Sequence, residues 1–218
     1  KVVVFFIGGA ADRYPFTIPP GITIPRTTLV RRFLMPVFQN TINANNLNID
    51  YIPRYLGFED VYGHQAISDN VIANIPSPEY GIYIIGHSLG GWNSAHLTKH
   101  LHDRGYNVDL LITLDPVGEG AAVQAIADIY TSEPVVHSSN WINLYSTIDL
   151  AGAGWIAVAG NKWNPTAADA INSTNSYFQN VAIEHDDPDD MFTANIDDLG
   201  MTSQDYLLSL IQTYLNTK

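Results

Sequence analysis

Residues 80–97 read YGIYIIGHSLGGWNSAHL, an apolar run, a serine between glycines, and then a stretch with helical spacing. The first six residues fit a strand buried on both faces, and LGGWNSAHLTKHLHD (89–103) fits the helix after it. Ser88 therefore falls on the turn between strand and helix. Gly86 and Gly90 flank it at the spacing Gly-x-Ser-x-Gly, with Gly91 added. A sharp turn brings the backbone on either side of the serine against neighbouring chain, where a Cβ would clash. It also lifts the hydroxyl above the sheet, beside the N–H groups that open the helix. Neither stability nor solubility calls for this arrangement, so Ser88 reads as a candidate nucleophile. An inert serine in a tight turn would leave the strain unexplained.

Working outward, strand-like and helix-like segments alternate. VVVFFI (2–7) and VDLLITL (108–114) are apolar throughout, as doubly covered strands are. IDYIPRYL (49–56), WINLYST (141–147) and SYFQNVAI (176–183) supply three more strands, with Pro53 weakening the first. Helices are expected over 29–46, with a kink at Pro36, over 60–75, and over the alanine-rich 120–130. Near the end, Thr202 and Asp205 form a capping pattern ahead of Leu207, Leu210, Ile211, Tyr214 and Leu215, which share a helix face. Such alternation implies an α/β fold, a mostly parallel central sheet of about six strands with helices on both faces. Sites in such sheets lie at the carboxyl ends of the strands, where Ser88 sits.

Composition bounds the rest. A chain of 218 residues, 46% hydrophobic and without an evident linker, reads as one domain, 1–218. With no cysteine there is no disulfide framework and no thiol nucleophile, and neither a secreted nor a cytoplasmic location is favoured. Ten basic against 22 acidic residues give a net charge of −12, which disfavours nucleic acid and anionic membrane surfaces as partners. No apolar run approaches the roughly 20 residues of a membrane span. The opening at Lys1, without methionine, leaves room for a leader or flanking segment to have been removed.

IIGHSLGG (84–91) resembles the nucleophile elbow of the α/β-hydrolase superfamily, and within it that of lipases and esterases. The resemblance implies a compact α/β-hydrolase fold, no cofactor, and a triad in the chain order Ser, acid, His. Of seven histidines, His64 precedes the elbow, His87 lies within it, and His96, His100 and His102 lie on the helix after it. His137 precedes a strand. His185, on the loop after the last strand, is the expected base. Two residues end strands beyond the elbow and compete as the acid. Asp115, in LLITLDPVGEG, is favoured because its strand directly follows the elbow strand and Pro116 fixes the chain behind it; Asp149, in NLYSTIDLAG, occupies the commoner position in the superfamily. The oxyanion of a tetrahedral intermediate would be held by the backbone N–H of Leu89 and, on the Gly8-Gly9 loop, by that of Ala10. A phosphate cradle at that loop is disfavoured, because it lacks Gly-x-Gly-x-x-Gly spacing and a P-loop lysine.

The substrate class rests on residues nearer the rim. Residues 150–175 are rich in alanine and glycine and contain Trp155 and Trp163, which suits a small lid or an acyl-pocket wall; an ordinary packed helix is the alternative. Gly9 and His87 are expected to touch substrate as well. No metal is assigned, although the acidic stretch 184–190 offers carboxylate oxygens to calcium. Asn172 opens an Asn-Ser-Thr triplet, a glycosylation acceptor in a secretory setting. The expected activity is hydrolysis of carboxylic esters, lipid or other apolar acyl esters, through an acyl-enzyme, with transient contact to a lipid surface. Thioesterase or acyltransferase chemistry on the same triad, or a non-catalytic binding protein, remain as alternatives.

Overall fold

The structure is a computed structural model that describes residues 1–218 apart from 19, 20, 25, 46, 48, 149–159 and 218, and apart from the side chains of 18, 22 and 24. The strands are β1 (Val2–Gly8), β2 (Phe16–Ile18), β3 (Ile22–Ile24), β4 (Tyr51–Gly57), β5 (Gly81–His87), β6 (Leu110–Leu114), β7 (Asn140–Ser146), β8 (Asn175–Val181), β9 (Asn195–Ile196) and β10 (Met201–Thr202). Six of them form one sheet in the order β4-β1-β5-β6-β7-β8, every pair parallel. The helices are α1 (Met35–Ala44), α2 (Gly63–Ala66), α3 (Leu89–His102), α4 (Ala121–Gln124), α5 (Pro188–Thr193) and α6 (Ser203–Asn216).

The continuous apolar strands are explained by a core on each face. In β1, Val3, Phe5 and Ile7 point to one face and meet Leu89, Trp92, Leu97 and Leu101 of α3. Val2, Val4 and Phe6 point to the other and meet Phe38 and Ile42 of α1 and Leu207 and Ile211 of α6. All seven β1 residues are buried. Its six apolar side chains contribute on the order of 10 kcal/mol of burial, an upper bound for a strand packed on both sides. Such a strand has no polar alternate face, so its register is held by side-chain shape and by the ladders on either edge.

Helical backbone runs from Leu29 to Ala44, as the spacing suggests, with the π-helical stretch Val30–Leu34 directly ahead of Met35 and Pro36. A widened turn ahead of a proline is one way in which a helix takes up the missing N–H and the bulk of the ring. Two local expectations are revised. Residues 58–74 break into short 3-10, α and π turns instead of one helix. Of the alanine-rich stretch 120–130, only Ala121–Gln124 is α-helical. Side chains of α3 claim its later backbone: Asn93 donates to the Asp128 carbonyl and accepts from the Tyr130 N–H, and the Trp92 indole donates to the Tyr130 carbonyl. Pro53 is tolerated in β4 because β4 lies at the edge of the sheet. The cap on α6 is as expected, Thr202 Oγ1 accepting the Asp205 N–H at 3.0 Å.

β1 pairs with β4 on one side and β5 on the other. The connections leaving these strands diverge here, which makes a switch point, and a crevice opens beyond the carboxyl ends of β1 and β5.

Candidate active site

At the end of β5, Ser88 has φ 57° and ψ −128°, a conformation that L residues rarely adopt. Its N–H donates to the Leu114 carbonyl at 3.1 Å, and its carbonyl accepts from the N–H groups of Gly91, Trp92 and Val117. These bonds over-determine the turn and hold the strain. The glycines on either side are required by space: a Cβ on Gly86 would come 2.6 Å from the Gly90 carbonyl oxygen, and one on Gly90 would come 2.5 Å from that of Ile7.

The Ser88 hydroxyl lies 3.0 Å from His185 Nε2, and His185 Nδ1 lies 2.6 Å from Asp115 Oδ2. With the carboxylate as acceptor, Nδ1 carries the proton, which leaves Nε2 to accept from Ser88 Oγ–H. Asp115 has no exposed surface, and Ser88 and His185 are 4% and 7% exposed, so the chain of bonds runs through a dry site. Of the two competing acids, Asp115 meets His185; Asp149 lies outside the described residues.

Each member is held by groups that sequence reading did not single out. Ser146, at the end of β7, donates its N–H to Asp115 Oδ1 at 2.9 Å and its hydroxyl to the Ile183 carbonyl at 2.5 Å. It thereby sets both the acid and the start of the His185 loop. Lys162 Nζ donates to the Ser146 carbonyl at 2.5 Å and stands 3.5 Å from Asp115 Oδ1, over the ring of Tyr145. Lys162 is brought there because residues 160–163 are strapped to the chain after Asp115. Gly118 N donates to the Asn161 carbonyl, Gly120 N to that of Gly160, and Trp163 N to that of Pro116. A polar residue closing a parallel strand was the available signal for Ser146. Nothing local marks Lys162.

The sequence reading puts His87 against substrate. In the structure it is 3% exposed, and its Nε2–H donates to the His185 carbonyl at 2.7 Å, the two rings 4.8 Å apart. Burial, and then the neighbouring His185, push its pKa down to about 3, so it stays neutral and keeps Nε2–H as a donor. Trp163, expected on a pocket wall, is 1% exposed and packs in the core against Trp92 and Trp141, with ring centroids 5.6 and 5.4 Å away. Trp155 lies outside the described residues. Gly9 lies against the serine, where a Cβ would come 2.6 Å from Ser88 Cβ. Leu89 opens α3, so its N–H has no carbonyl one turn back within the helix, and Ala10 follows Gly9 in the turn after β1. Among the described residues, no group of three or more His, Asp or Glu side chains is arranged to hold a metal, and this includes 184–190. No described helix is long and apolar enough to cross a membrane.

A six-stranded parallel sheet flanked by helices, with a strained serine turn after a central strand, is the α/β-hydrolase fold. Among solved structures, the chain is similar to the thioesterase domain SrfTE, described for cyclization of the lipopeptide antibiotic surfactin. The two share 13% identity over 97% of this chain and 91% of that one, with a TM-score of 0.51. YbtT, a type II thioesterase from the yersiniabactin NRPS/PKS biosynthetic pathway, aligns over 99% of this chain and 93% of its own at 10% identity and a TM-score of 0.49. At 13% identity the likeness to SrfTE is one of fold. No protein-family model matches the chain, and no curated protein matches it.

Proposed function

We propose that the protein is a serine hydrolase that cleaves esters or thioesters with an apolar acyl group through an acyl-enzyme. The observation that carries this reading is the unbroken hydrogen-bonded series Ser88–His185–Asp115 in a buried site. His185 Nε2 takes the hydroxyl proton as Ser88 Oγ attacks the acyl carbonyl, and Asp115 stabilises the resulting imidazolium and fixes its orientation. The N–H groups of Leu89 and Ala10 receive the oxyanion. His185 then gives its proton to the departing alcohol or thiol. Water, deprotonated by the same imidazole, attacks the acyl-serine; the carboxylic acid leaves and Ser88 regains its proton. The oxygen or sulfur of the leaving group makes no difference to these steps, and the resemblance of the fold to a thioesterase domain supports including thioesters beside carboxylic esters as candidates.

Hydrolysis of p-nitrophenyl and acyl-thioester panels by the purified chain, and by Ser88→Ala, tests the reading. Loss of the nucleophile is expected to lower kcat by about 10⁶ with the fold retained by circular dichroism. An alanine variant that keeps more than a few per cent of activity refutes Ser88 as nucleophile.

A further inference from the structure

A recess of about 180 Å³ opens beside the candidate site, between the loop after β1, the turn after β4 and the chain after α4. Its apolar wall is made by Phe16, Phe58, Ile126 and Ala127, and Gly9 borders it on the side of Ser88. Gly9 is the link between the two: the same backbone that borders the recess rests against the Ser88 side chain. The wall is built rather than incidental. Phe16 and Phe58 meet edge to face with centroids 6.1 Å apart, and the Phe58 carbonyl accepts from Asn93 of α3 at 2.9 Å, which ties the turn to the helix that Ser88 starts.

Size and charge limit what fits. A water occupies about 30 Å³, so the recess has room for about six groups of that size, methylenes included. Arg13 also borders the recess, but its guanidinium is paired with Asp60, so its charge is already balanced. Glu59 and Asp128, the other charged residues along the recess, are both acidic. Burial holds the Glu59 carboxyl above its usual range; its own backbone N–H and the Arg13 charge work against this, and Asp128 adds to it. A further anion would meet two carboxyl groups and no free cation among the residues lining the recess.

We propose that this recess is the acyl site, and that it selects short, uncharged acyl groups of up to about six carbons. The proposal rests on the serine-hydrolase reading and narrows it, turning the substrate from long-chain lipid towards short acyl esters or thioesters. Each methylene buried against the phenylalanine wall is expected to raise kcat/KM by about fourfold until the recess is full.

The test has separable arms. Labelling of Ser88 by a fluorophosphonate comes first; absence of labelling together with absence of ester hydrolysis overturns the hydrolase reading and this proposal with it. Given labelling, kcat/KM is measured for p-nitrophenyl acetate, butyrate, hexanoate, octanoate and laurate. A rise to butyrate or hexanoate followed by a fall supports the proposal; a flat profile, or one still rising at laurate, overturns it and leaves the hydrolase reading intact. Ala127→Phe, which takes up part of the recess, is expected to remove the gain of about two methylenes and so lower the hexanoate-to-acetate ratio by more than tenfold, and an unchanged ratio counts against the site. If that variant does not fold, the wild-type profile still decides. Finally, p-nitrophenyl esters of butyrate and of succinate differ by a carboxylate; equal rates refute the charge selection.

Discussion

Lys162→Met keeps the length of the side chain and deletes its charge, which isolates what the ammonium does for the buried acid. Nζ stands 3.5 Å from Asp115 Oδ1, and the two side chains are 9% and 0% exposed. At that separation the attraction is about 5 kcal/mol for an effective dielectric of about 20. Part of it is offset, because the methionine no longer has to desolvate a cation, and Asp115 retains its bonds from Ser146 N and His185. A net loss of about 2–4 kcal/mol is therefore expected, near the lower end for one partner of a buried pair removed. Urea unfolding monitored by tryptophan fluorescence gives the value, provided the m-value is unchanged. The decisive control is the double-mutant cycle with Asp115→Asn. If the loss reflects an orphaned carboxylate, Lys162→Met costs under about 1 kcal/mol once the acid has been replaced by its amide, and the coupling reaches about 2 kcal/mol. A coupling below about 0.5 kcal/mol refutes the argument, leaving Lys162 as packing against Tyr145 and a clip on the Ser146 carbonyl.

Two further outcomes are expected. Trp163→Ala removes a core ring packed on Trp92 and Trp141 and should cost about 3–5 kcal/mol of stability, with chain-length preference unchanged in the folded fraction; an altered preference without loss of stability would return Trp163 to the substrate site. Asp12 has its carboxyl pushed up to about 6, chiefly by burial, from an ordinary 3.8. A raised native value means that the folded state binds the proton more tightly, so ionisation penalises the fold fully above about pH 6 and not at all below about pH 4. Asp12→Asn still offers an acceptor to the Val30 N–H. It should stabilise the protein by on the order of 2–3 kcal/mol at about pH 8, with the gain gone by about pH 4; a difference that does not vary with pH in urea titrations would sink the assignment.

The parts legible in the sequence are those whose physics is local. Buried parallel strands announce themselves as apolar runs, so β1, β5 and β6 are readable. The elbow is readable because its glycines answer clashes within a few residues of Ser88. His185 follows from the triad order that the resemblance supplies. What escapes depends on partners far along the chain. The helical pattern over 120–130 is genuine, but it is overruled by Trp92 and Asn93, more than thirty positions earlier. Lys162 reaches Asp115 only because residues 160–163 pair with 116–120, and no periodicity encodes that strap. Trp163 reads as a pocket wall from the Ala- and Gly-rich sequence before it, whereas its ring is taken into the core by Trp92 and Trp141, more than twenty positions away in the chain. His87 looks like a substrate contact by its place in the elbow, yet its ring is turned to the His185 backbone.

The proposed reacting groups are distributed unequally over the sheet. Ser88 follows β5, with β1 and β6 on either side, while His185 follows β8, which among the described residues has β7 as its sheet neighbour. The middle of β8 is half-exposed, and its order is secured from one edge. Opening of an edge strand costs less than opening of the whole fold. On the proposed roles, the base is carried behind a strand secured from one edge and the nucleophile behind one secured from both. Mild heating or denaturant would therefore uncouple proton transfer while the serine is still presented on an intact scaffold. On the serine-hydrolase reading, activity is then expected to be lost at lower denaturant than the β1 and β5 core, with the difference set at the rim of the sheet.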